Sequence, residues 1–293
     1  MTSAINILMA GIFHAAALFL LTSGLQLVFG VQRIVNLACG SLYALGAYIG
    51  ISATTWALAQ GLPVPMFPLV LFASGLVAGL LGLPLERLLS TIYKRPESFQ
   101  LLLTFSLILI FQDVMRFFWG ANPQQLSNVA MTYGTVSLIG AEMPAYNAFV
   151  IGLSVAVAVA LHWFLNRTTS GKILRATAEN REASAAMGVN VERVYLLVFT
   201  LGTALSTVGG AMVVPTAAVS LQMGVELVVE AFAVIVIGGL GSIKGAAVGA
   251  LIVGLIRAAA LVVLPEAEVL ATYVVVLAVL VFRPSGLFGK VVA

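Results

Sequence analysis

Nine stretches of this chain carry almost nothing that water would solvate. They cover residues 5–29, 38–58, 67–85, 99–118, 145–165, 191–214, 225–240, 245–264 and 269–282. Most approach the roughly 20 residues a helix needs to cross a hydrocarbon core, and the seventh is short. Backbone groups in lipid must find partners within the protein, which leaves helices and closed barrels as the spanning structures. Composition agrees: 61% of residues are hydrophobic and 9% charged, against about 25% charged in a soluble domain, and mean hydropathy is +1.11. The expected fold is an all-α integral membrane protein, a polytopic bundle of about eight or nine transmembrane helices. The first stretch lacks a charged leader and is too long for a signal core, so it reads as a retained helix.

Residues 30–41, GVQRIVNLACGS, separate the first two spans. This glycine-bounded stretch reads either as a surface turn or as a broken, partly re-entrant helix. Alternating nine spans places Arg33, Arg87, Lys94, Arg95, Arg167, Lys172, Arg175, Arg181, Arg193, Lys244, Arg283 and Lys290 on one side. The opposite loops, 120–144 among them, carry Glu142, Glu266 and Glu268 and no lysine or arginine. Positive residues stay inside, so the C-terminus is expected in the cytoplasm and the N-terminus outside. A re-entrant second segment would move the N-terminus inside.

Much chemistry is excluded. The single cysteine, Cys39, rules out an internal disulfide and a cysteine metal cluster. His14 and His162 sit in apolar runs, and Asp113 is the one aspartate. Gly171–Lys172 lacks the earlier glycine of a phosphate-binding loop, Asn166 standing in that place and Ile173 following. There is no nucleophile elbow and no zinc-protease motif. The chain is therefore read as no enzyme, binding no metal or cofactor of its own. The pI of about 9.2 reflects loop bases rather than nucleic-acid binding.

Within the spans, Gly241, Gly245 and Gly249 form one small-residue row, with Ala246, Ala250, Gly254 and Ala258 beside it. Gly46 with Gly50, and Gly202 with Ser206 and Gly210, repeat the pattern. Such rows allow close helix approach, within one subunit or between two. Glu230 and Arg257 fall at similar depth on neighbouring antiparallel spans and are expected to pair, because an unpaired intramembrane charge is costly. Asp113 and Arg116, one turn apart, are expected to neutralise each other.

Residues 169–190, TSGKILRATAENREASAAMGVN, are a polar island between apolar spans. They read as one helix over 172–187, with Ile173, Leu174, Ala178, Ala185 and Met187 as an apolar face and Gly188 as the stop. It suits docking in a groove of a cytoplasmic partner; the alternative is a solvated connector.

Several segments resemble the LivH family, permease subunits of ATP-driven importers for branched-chain amino acids. They are GIFHAAALFLLTSGLQLVFGVQRIVNLACGSLYALGAYIG, LLLTFSLILIFQD, SGKILRATAENREASAAMGVNVERV, EAFAVIVIGGLGSIKGAAVGALIVGL and FRPSGLFG, and together they cover nearly the whole chain in order. One departure is Asn36-Leu37-Ala38-Cys39-Gly40, where the family usually has N-F-A-H-G. The resemblance implies a single permease domain over 1–293, including a cytoplasmic coupling segment at 166–190. It implies that Arg175, Glu179, Asn180, Ala183, Met187, Gly188 and Asn190 couple to an ATPase, and Asn36, Ser41 and Tyr43 are the candidates for the substrate pathway. It further implies a second related permease, two cytoplasmic ATPase subunits that bind ATP and magnesium, a periplasmic binding protein, and location in a bacterial inner membrane. The residues alone also allow a stand-alone secondary carrier or channel.

Overall fold

A helix that is apolar on every side is placed by where its backbone can approach another, not by amphipathicity. The computed structural model of the chain describes residues 2–93, 95–126, 133–138, 141–263, 265–283 and 286–288. It is built from α1 (Thr2–Gln32), α2 (Cys39–Ala59), α3 (Phe67–Gly79), α4 (Gly82–Ser90) and α5 (Glu97–Trp119). A hairpin of β1 (Thr135–Leu138) and β2 (Ala141–Pro144) follows, then α6 (Ala145–Arg167), α7 (Thr169–Glu179) and α8 (Arg181–Ala186). The chain continues through α9 (Val191–Val213), α10 (Met223–Gly238), α11 (Ile243–Val263) and α12 (Glu268–Phe282). Seven described segments are long and apolar enough to cross a membrane; α10 and α12 are shorter, at 16 and 15 residues. Lys94 and Lys290 of the charge argument, and Pro284 and Ser285 of the C-terminal motif, lie outside the described residues.

The small-residue rows pack inside this chain. Helices α1 and α9 form the centre, α1 against α9 and α11, α9 also against α2 and α3. A Cβ added at Gly24 would meet the Gly202 carbonyl oxygen at 2.3 Å, and one at Gly46 the Thr207 oxygen at 2.2 Å. In the late motif Gly245 faces Gly238, Gly249 faces Val234, and Gly254 faces Gly11. Helix α5 is mostly exposed, and few residues of α6 are buried. On α5, Asp113 and Arg116 are both exposed and form no ion pair among the described residues, contrary to the expectation of mutual neutralisation. On that open face nothing in this chain obliges the two charges to meet.

Two breaks in the helices stand out, one inside the third span, which runs from Val64 to Ser90, and one before α2. Residues 67–85 are not one helix: α3 ends and α4 begins around Leu80 and Leu81, which make three-residue bonds back to Val77 and Ala78. Pro84 explains the break, since it has no N–H to give the carbonyl four residues earlier. Between α1 and α2 the break is confined to residues 33–38. Arg33 ends α1 in the left-handed region, at φ 57°, where glycine is the usual residue. Cys39 then lies against Gly24, Leu25 and Val28 of α1, about 6–12 Å back along the helix from its end. The turn thus folds back beside α1. Helix α1 itself runs unbroken from Thr2 to Gln32, so the turn does not divide it.

We expect Gly46→Val, whose side chain would collide with the α9 backbone, to destabilise the protein by on the order of 3 kcal/mol, read as a lowered melting temperature in detergent. Gly152→Val, with open space around its Cβ, should melt like the wild type; equal melting of the two would refute the packing account.

Candidate functional site

Two places concentrate polar chemistry, one at the C-terminal end of α1 and one near its middle. At one end Gly30 touches Gly241, Gln32 reaches Tyr195, and Arg181 stacks on Tyr195. The bases Arg33, Arg181, Arg193 and Lys244 therefore share one end of the bundle.

The polar island is an elbow, not a single helix. Thr168 caps α7 by accepting the Gly171 N–H at 3.0 Å. Asn180 leaves helical geometry at φ −147° and ψ 103°, and its Oδ1 accepts the Ala183 N–H at 2.9 Å, opening α8. A third cap, Asn190, accepts the Arg193 N–H at 3.0 Å and starts α9. Asparagine competes with the helix ladder for backbone donors, which is why the chain turns at Asn180. Gly188, at φ +86°, closes α8, with the Val189 N–H bonded to the Ser184 carbonyl.

The apolar face expected on a continuous helix is split accordingly. Leu174, 2% exposed, packs inward with Leu27, Val198 and Phe199, whereas Met187, 85% exposed, points away from the chain. Arg175, Glu179, Asn180, Ala183, Gly188 and Asn190 are exposed as well. Arg175 donates to Asn166 Oδ1 at 3.0 Å.

Beneath the elbow is a network that sequence reasoning missed. The buried carboxylate of Glu86 on α4 accepts from Gln32 Nε2 at 3.4 Å and from the Tyr93 hydroxyl. Gln32 also donates to the Tyr195 carbonyl at 3.0 Å. Tyr93 meets Tyr195 edge-on, and the Arg181 guanidinium lies 5.3 Å from the Tyr195 ring. Burial first, and then the Glu86 carboxylate, push the Tyr93 phenol well above its ordinary range, so it remains the donor. This network ties α8 to α1, α4 and α9. Its one sequence signal is an acid, Glu86, placed late in an apolar span.

Beside the middle of α1, Glu230 on α10 pairs with Arg257 on α11. His14 Nε2 lies 3.2 Å from both the carboxylate and the guanidinium. One ring nitrogen cannot donate and accept at once; donating to Glu230 avoids setting two lone pairs face to face. The cluster borders a cavity of about 280 Å³, walled by α1, α10, Tyr43 of α2 and the segment after α9. Of the pathway candidates, Tyr43 lines this cavity. Asn36 does not: its Oδ1 accepts the Ala38 N–H at 3.1 Å, holding the turn before α2. Ser41 is buried on α2 away from the cavity lining.

Removing one member of the pair strands the other, a loss of about 3 kcal/mol or more for a buried pair. We therefore expect Glu230→Arg and Arg257→Glu each to cut membrane expression and the exchanged double variant to recover it. A double variant no better than either single one would show that the contact carries no stability.

The comparisons with known proteins agree with this architecture. A family model described as the permease component of branched-chain amino acid transport systems matches residues 7–283. The chain is 26% identical to the high-affinity branched-chain amino acid transport system permease protein BraD of Pseudomonas aeruginosa, covering 97% of this chain and 95% of that protein. It is 28% identical to the probable branched-chain amino acid transport permease protein LivH of Methanocaldococcus jannaschii, over 85% of this chain and 78% of that one. The solved structure of PsaBC from Streptococcus pneumoniae in complex with Fab has the same fold, with a TM-score of 0.52 at 13% identity, covering 95% of this chain and 92% of that one. With the apolar helices and the family match running nearly end to end, the chain belongs to the branched-chain amino acid transport permease family and is an integral-membrane permease component.

Proposed function

We propose that the chain is the membrane path of an ATP-binding-cassette importer that moves branched-chain or related small amino acids, or amides, inward by alternating access. The observation that carries this reading is the elbow of α7 and α8. A permease working alone has no use for a rigidly capped polar turn that presents an 85% exposed methionine, Met187, to the surroundings. A partner with an apolar socket and a polar rim does.

The whole machine follows from that reading. The whole chain, 1–293, acts as one permease domain whose coupling segment spans 166–190. It sits beside a second related permease, on two cytoplasmic ATPase subunits that hold ATP and magnesium, and beneath a periplasmic binding protein. The basic end faces the cytoplasm by the positive-inside rule, which puts the C-terminus there too. Met187 and Gly188 seat in the ATPase, with Arg175, Glu179, Asn180, Ala183 and Asn190 around them. ATPase closure pushes the elbow, and the network of Arg181, Tyr195, Tyr93, Glu86 and Gln32 passes the displacement to α1.

The test reconstitutes the complex and measures ATP hydrolysis and uptake together. Glu179→Lys and Met187→Asp are expected to lower uptake per ATP by about tenfold, within the usual range of coupling energies, with the chain still inserted. Gly188→Val, which forces a branched residue to positive φ, should do the same. Normal coupling in all three would defeat the reading. A tagged chain that purifies alone and transports without ATP would make it a stand-alone carrier.

A further inference from the structure

The cavity beside the Glu230–Arg257 pair lies against the middle of α1, away from the coupling elbow, and its chemistry is specific enough to define an occupant. Its volume, about 280 Å³, lies just below the roughly 300–1,000 Å³ of drug-sized ligand sites, a size for a smaller occupant. One wall is apolar, formed by Phe13, Leu18 and Leu21 of α1 with Leu227 of α10. The other holds Glu226, Glu230, Arg257 and His14. Glu226 and Glu230 stand one turn apart on the same face of α10. Glu230 is answered by Arg257 and His14, whereas Glu226 has no ion pair among the described residues.

The first turn of α10 favours an acid through the helix dipole. The dipole does not require that acid to share a cavity with a second carboxylate. Glu226 is exposed, and the lining offers carboxylates for an ammonium beside a guanidinium for a carboxylate, the two charged ends of a zwitterion. A metal ion is a poor fit, because no group of three or more His, Cys, Asp or Glu able to hold one occurs among the described residues.

We propose that this cavity binds a small apolar amino acid by exchange with the Glu230–Arg257 pair. The ammonium sits on Glu226 and Glu230, the carboxylate on Arg257, and the side chain against Phe13, Leu18 and Leu21. Each ion that gives up its partner receives another of the same sign, so no charge is stranded during the exchange. Glu230 and Arg257 tie α10 to α11, so occupancy loosens a contact between two helices and is linked to their separation. The proposal rests on the amino-acid importer reading above and adds the place and the chemistry of recognition within the membrane.

The test is leucine uptake by the complete complex with its binding protein, in proteoliposomes with ATP in the lumen, for wild type, Glu226→Gln, Glu226→Asp and Ala217→Phe. Assembly of each is checked by co-elution of the subunits. Ala217 is a half-buried residue of the cavity lining; phenylalanine there fills the space and removes no charge. Glu226→Gln should slow uptake by about tenfold or more, the scale of one charge-assisted hydrogen bond. Glu226→Asp should restore part of the rate, and Ala217→Phe should block uptake. Wild-type rates in both Glu226→Gln and Ala217→Phe overturn the site and leave the importer standing. A wild-type complex that hydrolyses ATP yet moves no amino acid overturns the importer reading and the site with it.

Discussion

Backbone polar groups at bilayer depth have no water to turn to, and this constraint organises the bundle around its breaks. Where α10 ends and α11 begins, Gln26 of α1 donates to the Gly239 carbonyl at 2.9 Å and accepts the Gly241 N–H at 2.5 Å. One buried side chain thus satisfies both sides of the glycine turn. The last described residues complete the repair, the Leu287 and Phe288 N–H groups donating to the Ile237 and Gly238 carbonyls at 2.9 and 3.0 Å. Asn36 does the same work before α2. These bonds cost no new interface and leave glycine free to bring the neighbouring backbones together, Gly30 on Gly241 and Gly238 on Gly245.

With the breaks satisfied, charge can be reserved for two places. The cluster of Glu230, Arg257 and His14 draws one member from each of three helices, so its integrity reports the relative positions of α1, α10 and α11. The network around Glu86 does this at the basic end, joining α1, α4, α9 and the turn before α5. Both are sensitive to separation, because a partly buried ion or carboxylate that loses its partner has little solvent to fall back on. Elsewhere the helices are joined by apolar contact, close backbone approach and a few neutral hydrogen bonds, such as Thr207 Oγ1 to the Gly75 carbonyl and the Tyr146 hydroxyl to the Met212 carbonyl, which depend less on exact position than charged contacts do.

What the residues disclosed on their own was governed by length and periodicity. The apolar runs located the spans to within a few residues, and the glycine spacing anticipated the close approaches. The turn after α1 was visible as a break because glycines bound a short stretch that holds Arg33 and Asn36 between two apolar runs. The break inside 67–85 was less so: Pro84 announces it, but a mean-hydropathy reading runs straight across an apolar kink. The elbow at Asn180 was hidden because alanine, glutamate and arginine on both sides favour helix, and one asparagine cap outweighs them only when the chain must turn back to α9. Glu86 paired with Tyr93, and Gln26 bridging a turn more than two hundred residues away, depend on tertiary placement that no local pattern encodes. The cavity was likewise legible only in part. Glu230 and Arg257 announce themselves as charges in lipid, but Glu226 looks like an ordinary first-turn acid until α1 is laid beside it.

Helix α1 connects these features mechanically. His14, Gln26 and Gln32 lie on one uninterrupted helix, with about 27 Å between the first and the last at 1.5 Å per residue. It has no proline between its ends, and the cores it joins are packed too closely to absorb a shift by bending. A displacement imposed on Gln32 from beneath Arg181 and Tyr195 therefore arrives at His14 largely undiminished. There it meets contacts of about 3.2 Å to Glu230 and Arg257, which a movement of an ångström would weaken steeply. A single continuous helix, anchored by one glutamine at the basic end and one histidine at the cavity, thereby joins the Glu86 network to the Glu230–Arg257 pair with no chain of intermediate side chains required.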